Sequence, residues 1–162
     1  MAIRGAVIDD AAAIAAIFHD AIHELAAEDY GPELREAWAG ANDPDRWRAR
    51  IEAAHAAGAA RRFWVAERED EVAGFCEFDA DGHVDTLYVS PRFAARGVAS
   101  ELLDQVERKA RELGLRRIYT EASITARPMF EHRGFVVTAP QQVPYRGAVL
   151  RNYRMEKRLT DG

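Results

Sequence analysis

Hydrophobic positions along the chain follow a helical period in some stretches and a strand period in others. In "DDAAAIAAIFHDAIHELA" the residues Ile14, Ile17, Phe18, Ile22 and Leu25 recur on one side at helical spacing. Asp9 or Asp10 is the expected cap, since a carboxylate there accepts free first-turn N–H groups. The strand "IRGAVI" (Ile3 to Ile8) precedes this helix, and Gly31-Pro32 breaks it. Two shorter helices follow, "PELREAWAG" and "NDPDRWRARIEAAHAAG". The second has Asp43 or Asp45 at its start and Gly58 at its end. "RRFWVAERED" and "EVAGFCEFDADG" read as an antiparallel hairpin turning at Glu69-Asp70-Glu71, and "HVDTLYVSP" as a further strand entered through Asp81-Gly82. Val98 to Leu113 is the clearest amphipathic helix, with Val98, Leu102, Leu103, Val106, Ala110 and Leu113 in one stripe and Gly114 as its stop. "LRRIYTEAS" is a strand, "ITARPMFEHRG" a short helix, and "FVVTAP" and "AVLRNYRMEKRL" are closing strands.

This order predicts an α/β fold of the mixed α+β kind on one sheet. The strand–helix–strand unit from Asp85 to Ser123 predicts one parallel pair with a right-handed crossover. Connections are short and no repeat or linker interrupts them, so residues 1–162 are expected to form a single domain.

Charge narrows the partners. The formal net charge is −5 and the arginines are scattered, so neither nucleic acid nor an anionic membrane surface is an expected partner. The single cysteine, Cys76, falls in an apolar strand, where a buried inert thiol is expected. "MAIRGAVIDD" lacks the apolar segment of a signal peptide and no run is long enough to span a bilayer, so a cytoplasmic location is expected. His19 and His23 stand at a spacing that can hold zinc. They lack the intervening glutamate and a third ligand, and no metal is expected.

The chemistry concentrates in "VSPRFAARGVASELL". A helix N-terminus offers unpartnered N–H groups and the positive end of a dipole, which suits an anion. Gly97 has no side chain to cover those groups, Ala94, Ala95 and Ala99 have almost none, and Arg92 and Arg96 add positive charge. Taken alone, Gly97 fits an anion cradle and a tight strand-to-helix turn equally well. A Walker loop is excluded because no Gly-Lys-Ser/Thr follows, and a Rossmann loop needs two more glycines.

"LYVSPRFAARGVASELL" resembles the acetyl-CoA-binding motif of GNAT-family N-acetyltransferases, Arg/Gln-x-x-Gly-x-Gly/Ala after a strand ending "LYV–P". "ASITARPMFEHRGF" resembles the family's "A–x–x–FYE–x–x–GF" segment, and "AWAGANDPDRW" points to its bacterial YafP-like branch. The resemblance covers nearly the whole chain. It implies the GNAT acyl-CoA N-acyltransferase fold: a mostly antiparallel central sheet with one parallel pair, flanked by helices. It implies acetyl-CoA, or coenzyme A, as cofactor. The amides from Ala95 through Arg96, Gly97, Val98 and Ala99 to Ser100 would hold its pyrophosphate. Leu87, Tyr88 and Val89 would pair with its pantetheine arm, where "HVDTLYV" and "RIYTEAS" splay apart. Ala94 departs from the usual Arg or Gln at the first motif position. Ser123 could hydrogen-bond the arm or cap a helix, and Phe130 could wall it or be plain core.

Acetyl transfer to an amine needs a proton acceptor, an oxyanion donor and help for the thiolate. Strand alternation puts His83, Asp85, Leu87 and Val89 on one side, before any bulge. Asp85 is therefore the candidate base, with Glu77 as the alternative and a backbone N–H near Val89 as oxyanion donor. The family's tyrosine acid is replaced by Phe130, which leaves Tyr145, Tyr153 or solvent. Tyr30 and Trp38 are candidates for the acceptor pocket. The expected acceptor is a small-molecule primary amine, with a peptide amine second and a homodimer a possibility the resemblance carries. A non-catalytic acyl-CoA-binding module and a nucleotide-binding protein are the competing classes.

Overall fold

The computed structural model describes residues 2–160. Its elements are β1 (Ala2–Gly5), α1 (Ala11–Asp20, continued by a π-type turn Ala21–Leu25), α2 (Pro32–Ala39), α3 (Pro44–His55), β2 (Arg61–Arg68), β3 (Glu71–Asp79), β4 (His83–Val89), α4 (Val98–Glu112), β5 (Arg117–Ser123), α5 (Arg127–His132), β6 (Val136–Tyr145) and β7 (Ala148–Arg158). One 7-stranded sheet runs in the order β1-β2-β3-β4-β5-β7-β6. Every neighbouring pair is antiparallel except β4 and β5, so the sequence-predicted architecture is present.

β2 shows why the sheet has two cores. Its side chains alternate in direction, so Phe63 and Val65 join Ile14, Phe18, Trp47 and Ile51 beneath α1 and α3. Trp64 and Ala66 join Cys76, Phe78, Leu102, Leu103 and Val106 beneath α4. A strand buried on both faces reads as a continuous apolar run, as this one does. Cys76 is fully buried, and burial pushes its thiol far above its ordinary range. No helix among the described residues is long and apolar enough to cross a membrane.

Several expected boundaries move. β1 stops at Gly5 rather than at Ile8. Neither Asp9 nor Asp10 caps α1. Asp10 turns back instead, accepting the Val7 N–H at 2.8 Å and two bonds from Arg4 at 2.8 and 3.0 Å. Asp43 does cap α3, accepting from the N–H groups of Asp45 and Arg46, but α3 ends at His55, before Gly58. β6 continues past Pro140 and Pro144 to Tyr145. Those prolines are tolerated because β6 is an edge strand, with one side free of ladder bonds.

Candidate active site

Only His83 and Val84 of β4 pair with β5, opposite Tyr119 and Thr120. Beyond them the strands part, and the buried Thr120 hydroxyl closes the fork by donating to the Val84 carbonyl at 2.8 Å. Along an antiparallel strand, alternate residues aim their backbone groups at opposite neighbours. Ser90 donates to Ala73 of the β3 side, so Tyr88 also faces β3 while Leu87 and Val89 face the gap. Two of the three predicted arm-binding residues therefore present free main-chain groups there. Those of Tyr88 are spent within the sheet.

On one face, the gap leads to the turn before α4. A cavity of about 520 Å³ is lined there by Leu87, Val89, Ala94, Ala95, Gly97 and Ser100, among others. Ala95 and Gly97 both have left-handed backbone, at φ +59° and +82°. No side chain caps α4, and the first intrahelical acceptance at this end is Glu101 N–H to Gly97 C=O at 3.1 Å. The amides from Ala95 to Ser100 are thus the uncovered donors of a helix N-terminus. Ala94 spends its N–H on Pro91. A Cβ on Gly97 would have room, with Arg68 the nearest group at 3.9 Å, so its left-handed φ is what requires glycine. Gly97→Ala puts about 1–2 kcal/mol of left-handed strain on the turn, which the free protein relieves by shifting it, so the Kd for coenzyme A is expected to rise by up to roughly five- to thirtyfold by calorimetry. An unchanged Kd would show that binding does not need this turn.

The expected positive charge at the turn is largely engaged. Arg92 pairs with Glu71 at 2.6 Å, and Arg96 lies over the Phe93 ring and reaches Glu69 at 3.5 Å. The Arg68 guanidinium also comes near Gly97, and it pairs with Glu101 at 3.2 Å.

The carboxylates lie on the other face, and a bulge puts them there. Glu77 pairs with Thr86 and Phe78 with Val84, so Asp85 is the extra residue in β4. The bulge breaks the expected alternation. Val84, Leu87 and Val89 pack toward α4, whereas Asp85 turns with Tyr88 toward α1 and α3. Asp85 lines a cavity of about 150 Å³ at the gap, with Trp38, Thr86, Glu121, Phe130 and Asn152. Arg50 and Arg61 reach it at 3.0 and 2.9 Å. Glu77, the alternative base, is 0% exposed. It takes two bonds from Arg50 at 2.8 and 2.7 Å, one from Arg61 at 3.0 Å and one from the Thr86 hydroxyl at 2.8 Å. It lines neither cavity, and its geometry is that of a buried anchor for the two arginines.

The remaining predicted residues separate. Trp38 lines both cavities, and its indole hydrogen-bonds the Tyr88 hydroxyl, whose pKa burial raises well above the ordinary phenol value. Tyr30 lines neither cavity. It is buried, its hydroxyl donating to the Arg151 carbonyl and accepting the Ile124 N–H at 2.9 Å, so it fastens the α1–α2 segment to β5 and β7. Ser123 lines both cavities while accepting the Ala126 N–H at 3.0 Å. Phe130 packs edge-on against Phe135 and lines the smaller cavity. Tyr145, at the end of β6, also lines neither cavity, although it lies near enough to Tyr88 to raise that hydroxyl's pKa. Tyr153 lies under Arg127 and lines neither cavity. The His19 and His23 rings are 4.6 Å apart between centroids. Among the described residues no group of three His, Cys, Asp or Glu could hold a metal.

The acetyltransferase (GNAT) domain model matches residues 26–159. The chain belongs to the GNAT acetyltransferase family. YafP of Escherichia coli (strain K12), an uncharacterized N-acetyltransferase, is 34% identical over 142 residues, 88% of this chain and 85% of that one. A GCN5-related N-acetyltransferase from Rhodopseudomonas palustris superposes with a TM-score of 0.88 at 33% identity, covering 98% of this chain and 95% of that one. The PaiA N-acetyltransferase of Thermoplasma acidophilum, solved with coenzyme A, shares the fold at TM-score 0.79 and 18% identity, covering 98% of both chains.

As a GNAT member the chain is an acetyl-CoA-dependent N-acetyltransferase, and its residues fit that donor. The small-residue turn suits a pyrophosphate, and the open edge of β4 suits an extended arm added like a strand. Gly74 is a packing residue beneath the amide-rich turn that the sequence pattern alone did not single out. A Cβ there would come within 2.9 Å of both the Tyr88 carbonyl and Val98, so glycine lets the first residue of α4 seat on β3. A glycine inside an apolar strand was the available signal.

Proposed function

We propose that this GNAT enzyme acetylates the primary amine of a small molecule, with Asp85 taking the proton from the substrate ammonium. The observation that carries the reading is the parted β4 and β5. The amide-rich turn opens on one sheet face and Asp85 on the other, and both adjoin the gap. Acetyl-CoA supplies the acyl group as an activated thioester. The Val89 N–H, facing the gap, is the donor for charge that builds on the acyl oxygen. Asp85 accepts the ammonium proton directly or through one water. Tyr145, near Tyr88, is the candidate proton donor.

A small acceptor is favoured over a peptide by the β6–β7 hairpin. Its residues Leu150 and Asn152 line the smaller cavity. Tyr30 holds the hairpin at Arg151, and the Arg146 guanidinium lies against Gly40 at the end of α2. The test is thiol release from acetyl-CoA over a panel of small amines and short peptides. Small primary amines are expected to support turnover and peptides are not. Thermal stabilisation by coenzyme A with no thiol release from any amine would instead favour a non-catalytic binder.

A further inference from the structure

Glu121 projects from β5 on the same sheet face as Asp85 and lines the same cavity. It also borders an open depression between β5 and β7, whose lining includes Arg117, stacked on Tyr119, and Arg154, opposite Glu121 in register and donating to Gln141. Its Oε1 accepts from His83 Nε2 at 2.7 Å. Among the described residues the carboxylate has no other hydrogen-bond or ion-pair partner, which leaves its second oxygen for another donor. The smaller cavity's lining includes two carboxylates, Asp85 and Glu121, and no lysine or arginine.

His83 is held firmly. Its ring stacks on Tyr119 with centroids 4.9 Å apart and 21° between planes. The Tyr119 hydroxyl donates to Asp81 at 2.7 Å. His83 Nδ1 is 3.6 Å from Asp79, and Arg61 fixes both Asp79 and Asp85 at 2.8 and 2.9 Å. The imidazole is thus faced by Glu121 and Tyr119 of β5, Asp79 of β3 and Asp85 of β4, with Asp81 behind Tyr119 and Arg61 behind the aspartates.

We propose that Glu121 anchors the positive charge of the acceptor amine and that His83 is a positioning residue whose proton masks or unmasks that anchor. The inference rests on the acceptor lying at Asp85. It deepens that reading by naming the substrate class: a net-cationic amine without a carboxylate, since the nearest cations, Arg50 and Arg61, lie outside the lining and are already paired with Asp85 and Glu77. The hydrogen bond to Glu121, against the opposing effect of burial, raises the His83 pKa above its ordinary value. Below that pKa the imidazolium neutralises Glu121. As pH rises through it, the imidazole becomes neutral, Glu121 regains its full charge, and a cation binds more tightly.

The probe is butyltrimethylammonium, whose charge does not titrate, followed by tryptophan emission because Trp38 lines both cavities. Between about pH 5.5 and 8.5 the Kd of the unmutated protein is expected to fall roughly three- to tenfold. Glu121→Gln should bind more weakly throughout and show no pH step. His83→Gln, which keeps a donor but cannot titrate, should bind without the step. The other histidines remain in that variant, so they cannot supply its loss. A pH-independent Kd in the unmutated protein, or Glu121→Gln binding as tightly as it, would overturn the proposal. Because this readout is binding, it separates from the thiol-release assay. A pH step with no amine acetylated refutes the proposed reaction alone. Turnover with a flat Kd refutes the Glu121 anchor alone.

Discussion

Asp85→Asn is expected to lower kcat for amine acetylation by about 10²- to 10⁴-fold, the usual worth of a positioned general base. Asparagine keeps the shape of the side chain and can accept a hydrogen bond but cannot hold the proton. The fold should tolerate the change. Asp85 is one-third exposed at 32%, and its two arginines keep other partners, Arg50 holding Glu77 and Arg61 holding Glu77 and Asp79. Acetyl-CoA binding should also survive, because the amide-rich turn lies on the other sheet face. The decisive readout is the pH profile. Without the base, only amine that is already neutral can attack. The rate of the variant should then climb about tenfold per pH unit below the amine pKa, where the unmutated enzyme climbs less steeply. A variant that keeps more than a third of the rate, with an unaltered profile, would remove Asp85 from the mechanism.

What the sequence made legible was local. The stripe from Val98 to Ala110 predicts α4 because one helix face must be apolar whatever it packs on. Gly97 announces its turn because a left-handed φ is a requirement local to the residue, although Ala95 two positions earlier meets it without being glycine. The hairpin at Glu69 and Asp70 is similarly self-contained, although both residues adopt positive φ without being glycine.

Features that depend on a distant partner were not legible. The bulge at Asp85 exists only in the register between β3 and β4, and alternation along β4 alone puts Asp85 on the wrong side. Tyr30 reads as a pocket aromatic until its hydroxyl is found bridging Arg151 and Ile124, far along the chain. Glu121 gave no signal at all, since its significance comes from His83, 38 positions earlier, across the parallel pair. Arg92 and Arg96 read as added positive charge at the turn because their partners, Glu71 at the start of β3 and Glu69 just before it, lie more than 20 positions earlier. The side chains around the gap are brought together across strands, which is why the turn before α4 was legible and the cluster around Asp85 was not.

The same logic makes Arg50→Ala the substitution expected to harm the fold most. Arg50 reaches from α3 to put both a bidentate grip on Glu77 and a bond to Asp85, while its guanidinium stacks 5.1 Å from the Trp47 ring. Without it, a fully buried carboxylate keeps only Arg61 and Thr86 as side-chain partners. Breaking a buried ion pair from one side costs about 3–5 kcal/mol, or roughly 6–20 °C in Tm for a domain of this size. Denaturant unfolding measures it. Arg50→Ala combined with Glu77→Gln is expected to recover more than half of the loss, because the charge that suffers is then gone. Equal instability of the single and double variants would mean that lost packing on Trp47, not the stranded charge, accounts for the effect. Recovery of stability without recovery of turnover is the expected outcome. Glu77 and its arginines fix Asp85 and Thr86 around the bulge, so a repaired core still leaves Asp85, the proposed base, unaligned with the gap.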